Sequence, residues 1–236
     1  MMIRTWFTKF WKLNKMHTIK KLQKVIKMSN FKIVYLFSFL CLGVLSCGRN
    51  ESPAPELSTK IKYYAPFSIG SSFSYNSSLG NYTNTVQSDT VITGKVYNKV
   101  MNSKDGYTAY YYFSEGEYKV SGVAPVYVSG VPAELNDFTY LKDNLPVNST
   151  WSISVPINSG GTSYTVRFDF KILAKEIVRT VNGKTYAGVV QVEQKIYSIS
   201  GTSVKETGTY LFWYAKGVGL IETDALTTKI SNYLLK

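Results

Sequence analysis

The sequence predicts an all-β protein: a single antiparallel β domain, sandwich-like or a strongly curved half-barrel, with room for two similar modules. Three observations predict it. From about Lys60 onward, β-branched and aromatic residues alternate with polar ones between turn signals, and no stretch keeps a 3.6-residue period. Asn182-Gly183 and Asp105-Gly106 are hairpin signals, because a tight type I′ turn needs positive φ at both central residues. Ile69, Gly70, Ser71, Ser72, Phe73 can also be laid on Val147, Asn148, Ser149, Thr150, Trp151 at an offset of 78 residues. At nearly the same offset the two hairpin signals coincide, as a duplicated β module would require.

The expected strands follow in order. Ser72–Asn76 alternates serine with Phe73 and Tyr75, and Thr90–Val100 is rich in Val, Ile and Tyr. Tyr107–Ser114 leaves the Asp105-Gly106 turn, and Tyr118–Val123 leaves Gly116. Trp151–Pro156 interleaves Trp151, Ile153 and Val155 with serines, and Ser163–Leu173 places an apolar residue at every second position. Glu176–Val181 runs into Asn182-Gly183, and Thr185–Ser200 runs out of it. Ser203–Ala215 ends in a dense aromatic stretch, and Ala225–Leu235 closes the chain.

Charge along the chain separates a leader from this domain. Residues 1–46 hold nine of the 27 Lys and Arg and no Asp or Glu, which leaves 18 basic against all 15 acidic residues downstream. A balance near +3 without basic clusters gives no footprint for a phosphate backbone, so nucleic acid is not an expected partner. Both cysteines, Cys41 and Cys47, and the one histidine, His17, also precede the β region, so no disulfide and no imidazole is expected there.

Ile33 to Leu45 is a run of thirteen uncharged residues preceded by Lys32, the anatomy of a signal-peptide core. As a helix it would reach roughly 20 Å, short of the roughly 30 Å hydrocarbon layer. Val44, Leu45, Ser46 and Cys47 resemble the lipobox of bacterial lipoproteins, in which a small residue precedes the modified cysteine; Cys41, preceded by the bulky Leu40, does not. The resemblance implies cleavage before Cys47, acylation of its sulfur, and a membrane partner reached through the lipid anchor. Two or more chains hold stably where one holds marginally, at about 0.8 kcal/mol per buried methylene. Met28 offers an alternative start with a leader of ordinary length, whereas residues 1–27, basic and dotted with Trp6, Phe7, Phe10 and Trp11, could also be drawn as a surface helix. The expected organisation is a signal peptide over 1–46, a lipidated tether over 47–58 stiffened by Pro53 and Pro55, and the β domain over 59–236. The expected location is the bacterial cell envelope, at the outer membrane. Surface-exported lipoproteins of the Bacteroidota carry acidic residues after the cysteine; here Arg49 precedes a single Glu51, which leaves the leaflet open.

Trp213, Tyr214, Ala215, Lys216, Gly217, Val218, Gly219, Leu220 resembles a C-terminal Trp-Tyr-Ala-x-Gly-Val-Gly-Leu motif of a bacterial, Bacteroidota-like lipoprotein family. Pro66 to Tyr75 and Leu145 to Trp151 resemble two earlier segments of its layout. The resemblance carries over no catalytic or binding residue. On physical grounds, Gly217 and Gly219 should permit a turn or bulge that returns a strand against Trp213.

No motif asks for a cofactor or a metal. Gly217-x-Gly219 lacks the third glycine and the βαβ context of a dinucleotide loop. Glu115 and Glu117 flank Gly116 at an expected hairpin tip, where solvated charge is ordinary, and no partner residues support a hydrolase. Glu134, Asn136, Asp137, Asp143 and Asn144 form an oxygen-rich loop whose spacing matches no calcium site. What stands out is aromatic excess. In Tyr110, Tyr111, Tyr112, Phe113, alternation puts Tyr110 and Tyr112 on one face and Tyr111 and Phe113 on the other. Tyr110, Tyr112 and Trp213 are the candidate ligand contacts, for a glycan, a protein or an apolar ligand. The expected role is non-catalytic binding or structure, with a carrier of a lipid or small apolar ligand in a half-barrel groove as the alternative and an envelope hydrolase behind both.

Overall fold

The computed structural model describes residues 63–65, 68–126, 131–159 and 162–236. The leader, Cys47 and the tether 47–58 lie outside them. Twelve strands form one sheet: β1 (Ser72–Asn76), β2 (Tyr82–Ile92), β3 (Lys95–Asn102), β4 (Thr108–Ser114), β5 (Glu117–Val126), β6 (Val131–Lys142), β7 (Thr150–Ser159), β8 (Thr162–Val181), β9 (Lys184–Ser200), β10 (Ser203–Ala215), β11 (Gly219–Thr223) and β12 (Thr228–Leu234). Every pairing is antiparallel, in the spatial order β6-β5-β4-β3-β2-β1-β12-β11-β10-β9-β8-β7. This is a ring in sequence order, cut between β6 and β7. Of the two architectures expected, the strongly curved sheet is the one formed, and it curls into a nearly closed barrel.

The ring consists of two six-stranded meanders, β1–β6 and β7–β12, joined where β1 pairs with β12. The offset of 78 residues recurs in the backbone of the turn that opens each half, although the strand residues it bonds to, Val86 and Ile172, lie 86 apart. Ser71 N donates to Ser68 O and Ser149 N to Pro146 O; Gly70 N donates to Val86 O and Asn148 N to Ile172 O; Val86 N donates to Ser71 O and Ile172 N to Ser149 O. The turn that starts each half needs a left-handed residue, with φ of 88° at Gly70 and 71° at Asn148, and asparagine is among the few side chains that tolerate it. Phe73 and Trp151 then occupy the same place in β1 and β7.

Several sequence expectations are corrected. Asn182-Gly183 makes the expected two-residue turn, with φ of 48° and 79°. At Asp105-Gly106, however, only Gly106 is left-handed, and a longer loop, 103–107, joins β3 to β4. The counterpart of Asn182-Gly183 is instead Thr93-Gly94, with φ of 49° and 77°, which divides the expected strand Thr90–Val100 between β2 and β3. Ser163–Leu173 and Glu176–Val181 are one strand, β8, interrupted by bulges between Ile172 and Arg179, with Glu176 at a φ of 55°. Glu134, Asn136 and Asp137 lie on strand β6 and not in a loop. The strand expected to return against Trp213 is β11: Gly217 and Gly219, at φ of 72° and 90°, make the turn, and Trp213 pairs with Glu222.

Beyond its bulges the β8–β9 hairpin reaches β11, β12 and β10. Arg179 Nε donates to Glu222 Oε2 at 2.6 Å, Asn182 Nδ2 to Ile230 O at 2.8 Å, and Lys184 Nζ sits 3.8 Å over the Tyr233 ring. Val181, Tyr186 and Val189 are buried there with Ile221 and Ile230. A second buried cluster, including Tyr64, Tyr118, Phe138, Leu141, Val166 and Phe170, fills the other part of the barrel.

Among the described residues no ladder joins β6 to β7. Side chains hold this seam instead. Trp151 Nε1 donates to Thr139 O at 2.9 Å, and its indole stacks on Phe170, its cross-strand neighbour, at 4.9 Å and 7°. Lys175 Nζ donates to the carbonyls of Asp143 and Leu145 at 2.6 and 3.0 Å. Trp151→Phe keeps a ring on Phe170 and removes only the bond across the seam. It is expected to cost about 0.5–1.5 kcal/mol and to speed amide exchange in β7 while leaving the β1–β12 ladder unchanged. Equal protection in both variants would show that the bond does not latch the seam.

Candidate functional site

A barrel of about eight strands is just filled by its own side chains, so a ring of twelve leaves space at its centre. That space has two adjoining compartments. The inner one, about 290 Å³, is lined by residues that include Tyr64, Phe73, Tyr75, Phe170, Tyr214 and Leu220. The outer one, about 730 Å³, is lined by Leu135, Phe168, Ile196, Tyr210, Leu226 and others. Tyr82, Asn84, Val100, Tyr111, Phe138, Gln194 and Phe212 line both and form the junction.

The two ends of the barrel differ. Ser77, Leu79, Lys104, Asp105, Tyr107, Ala225 and Leu226, from the loops β1–β2, β3–β4 and β11–β12, border the outer compartment and form its mouth. At the opposite end Tyr64 and Ala65 border the inner compartment. Tyr64 is 2% exposed; its backbone N donates to Tyr118 Oη at 3.0 Å, and Tyr118 Oη donates to Asp143 Oδ2 at 2.6 Å. Tyr63 O accepts from Gly217 N at 2.7 Å. Residues 63–65 thus lie across this end of the barrel.

The walls are aromatic but not free of polar atoms. Tyr75, Tyr82, Tyr111, Tyr140 and Tyr214 all face the inner compartment. Their rings form pairs, Tyr75 with Tyr82 at 5.1 Å, Tyr111 with Tyr140 at 6.0 Å and Tyr140 with Tyr214 at 5.8 Å. Tyr75 Oη donates to Leu220 O at 3.0 Å. Burial pushes the hydroxyls of Tyr75, Tyr111, Tyr140 and Tyr214 above their ordinary value, and for Tyr75, Tyr140 and Tyr214 the neighbouring phenols push in the same direction. All four stay neutral donors across the physiological range. Asn84 Oδ1 accepts from Asn102 Nδ2 at 3.0 Å, and Gln194 makes no side-chain hydrogen bond among the described residues.

The residues singled out in the sequence lie elsewhere. Tyr111 lines the cavity, so alternation along β4 directs Tyr110 and Tyr112 away from it. Tyr112 stands 5.3 Å from the Tyr97 ring, with Lys95 Nζ 5.4 Å above it. Trp213 is 7% exposed, and the Arg179 guanidinium lies 3.8 Å over its ring. Cys47 lies outside the described residues. Glu117, Asp137 and Asp143, among the carboxylates weighed as chemistry, have structural partners. Glu117 is held below the usual carboxylate range by Lys142 and Lys119, at 2.6 and 2.9 Å. Asp137 is held low by Lys95, at 2.7 Å, and by the Tyr97 hydroxyl. Sequence reasoning missed Gln194 and Tyr214. Their signal was alternation: Val192, Gln194 and Ile196 share one face of β9, and Phe212 and Tyr214 share one face of β10.

No family model matches the chain, and no curated protein matches it. Two solved structures do. One is a candidate lipoprotein from Parabacteroides distasonis ATCC 8503, 15% identical, with 73% of this chain and 98% of that one covered and a TM-score of 0.48. The other is a candidate exported protein with a YmcC-like fold from Bacteroides fragilis NCTC 9343, 8% identical, with 72% and 97% covered and a TM-score of 0.39.

Proposed function

We propose that the protein is a non-catalytic lipoprotein of the bacterial cell envelope, tethered to the outer membrane through acyl groups on Cys47, whose barrel binds an apolar ligand. The observation that carries the ligand reading is the interior cavity. Its outer compartment of about 730 Å³ opens at one end, and both compartments are walled mainly by aromatic and aliphatic side chains. Such a volume suits a small lipid. A flat aromatic face for a glycan or a protein would need free rings, and the Trp213 ring already carries Arg179. The anchor reading rests on the uncharged run Ile33 to Leu45 and on Ser46-Cys47 at its end.

The two parts are tested separately. Cells fed radioactive palmitate are expected to label the wild-type chain and to leave Cys47→Ala unlabelled; equal labelling of both would remove the anchor. Native mass spectrometry of the purified chain is expected to show a co-purifying species of lipid mass released on activation. A bare protein mass, together with failure to bind the hydrophobic dye N-phenyl-1-naphthylamine, would remove the ligand reading.

A further inference from the structure

The polar atoms of the cavity are not spread at random. Among the described residues, the inner compartment has no Asp, Glu, Lys, Arg or His in its wall, and the outer one has only Lys104 and Asp105, both at the mouth. What the interior offers instead is neutral hydrogen-bonding capacity: six tyrosine side chains around the inner compartment, with Asn84 and Gln194 at its junction with the outer one. Gln194 sits between Phe170 on β8 and Tyr210 on β10, facing the cavity in a row with Val192 and Ile196. An amide carries two N–H donors and an acceptor oxygen, and the half-buried Gln194 presents them to the cavity. Charged groups are costlier still to bury without a counter-charge. The Tyr64 end of this cavity therefore suits a neutral polar group and rejects an ionised one, while the mouth-side compartment, walled mainly by apolar side chains such as Leu135, Phe138, Phe168, Ile196 and Phe212, suits hydrocarbon.

We propose that the cavity takes an uncharged amphiphile head first: a molecule with a hydrocarbon chain and a neutral hydroxyl- or ester-bearing end, of the chemical class of a monoacylglycerol. Gln194 and the inner tyrosine hydroxyls bind the polar end, and the mouth-side compartment holds the chain. This rests on the reading of the barrel as a binder of apolar ligands and adds the charge state and orientation of what is bound.

The test uses the purified full chain with N-phenyl-1-naphthylamine as reporter, displaced by 1-monooleoylglycerol or by oleate at a mildly alkaline pH, where oleate is ionised. Monooleoylglycerol is expected to displace the dye at least about tenfold more effectively than oleate. Gln194→Leu and Tyr214→Phe are each expected to weaken monooleoylglycerol about three- to tenfold, the worth of one hydrogen bond, when displacement is referred to each variant's own dye affinity. Tyr214→Phe keeps the ring and removes only the hydroxyl, so a thermal transition like the wild type's certifies the fold. Equal displacement by oleate and monooleoylglycerol, with both variants silent, would overturn the headgroup inference and leave the apolar-ligand reading intact. Absence of dye binding in the wild type would remove both.

Discussion

Phe170→Ala is expected to lower the unfolding free energy by about 3–5 kcal/mol, the usual range for emptying a buried phenylalanine site. Phe170 is 2% exposed on β8, stacked on Trp151 and edge-on to Phe138 at 5.8 Å. It therefore ties the first strand of the second half to the last strand of the first, across a seam that has no ladder. Collapse around an alanine is hindered because the surrounding rings also line the cavity, which would simply enlarge. Guanidinium unfolding followed by tryptophan fluorescence measures the effect. A loss below about 1 kcal/mol would mean that Phe170 does not hold the seam.

Alkaline pH should unfold the protein cooperatively. Tyr75 and Tyr214, 5% and 6% exposed, have hydroxyls raised above the ordinary value of 10.0, chiefly by burial, and Tyr186 is pushed up to about 12 for the same reason. The folded chain keeps these protons where the unfolded chain loses them. Above pH 10 the unfolded state thus binds fewer protons, and stability falls as pH rises. Each such group contributes about 1.4 kcal/mol per pH unit, so Tyr75 and Tyr214 together remove about 3 kcal/mol for each unit above 10, and the Tyr186 contribution is complete near 12. Below pH 10 these groups add no slope. In an alkaline titration tyrosinate absorbance should rise first for exposed phenols and then jump with loss of the sheet signal. A smooth rise with no jump would contradict burial of the cluster.

The strands that could be read from the sequence were those where alternation and turn chemistry agreed. Ser72–Asn76 is β1 to the residue, and Ser203–Ala215 is β10. Where the two disagreed, the reading failed. β6 was hidden because Glu134, Asn136 and Asp137 look like loop residues, although Asp137 sits at a left-handed irregularity with a φ of 48° and its carboxylate is held by Lys95 and Tyr97. The Thr93-Gly94 turn was hidden because threonine, being β-branched, seldom takes positive φ. At β4 the two-faced pattern was correct, but periodicity cannot say which face is the inner one, and Tyr111 faces the cavity rather than Tyr110 or Tyr112. The cavity itself depends on twelve strands closing together, a property that no local window carries.

The β1–β12 ladder also sets when the domain can be completed. Each hexad needs only hairpins between sequence neighbours, which form quickly. The ladder that unites them aligns Ser72 with Leu234, nearly the whole domain apart. Closing the roughly 160 residues between them would cost an unstructured chain about 4–5 kcal/mol of entropy, so the ladder forms only once hairpins within each half have shortened that loop. Folding should thus be limited by this late docking of two preformed halves, and a nascent chain cannot complete its ring until its last strand has left the ribosome.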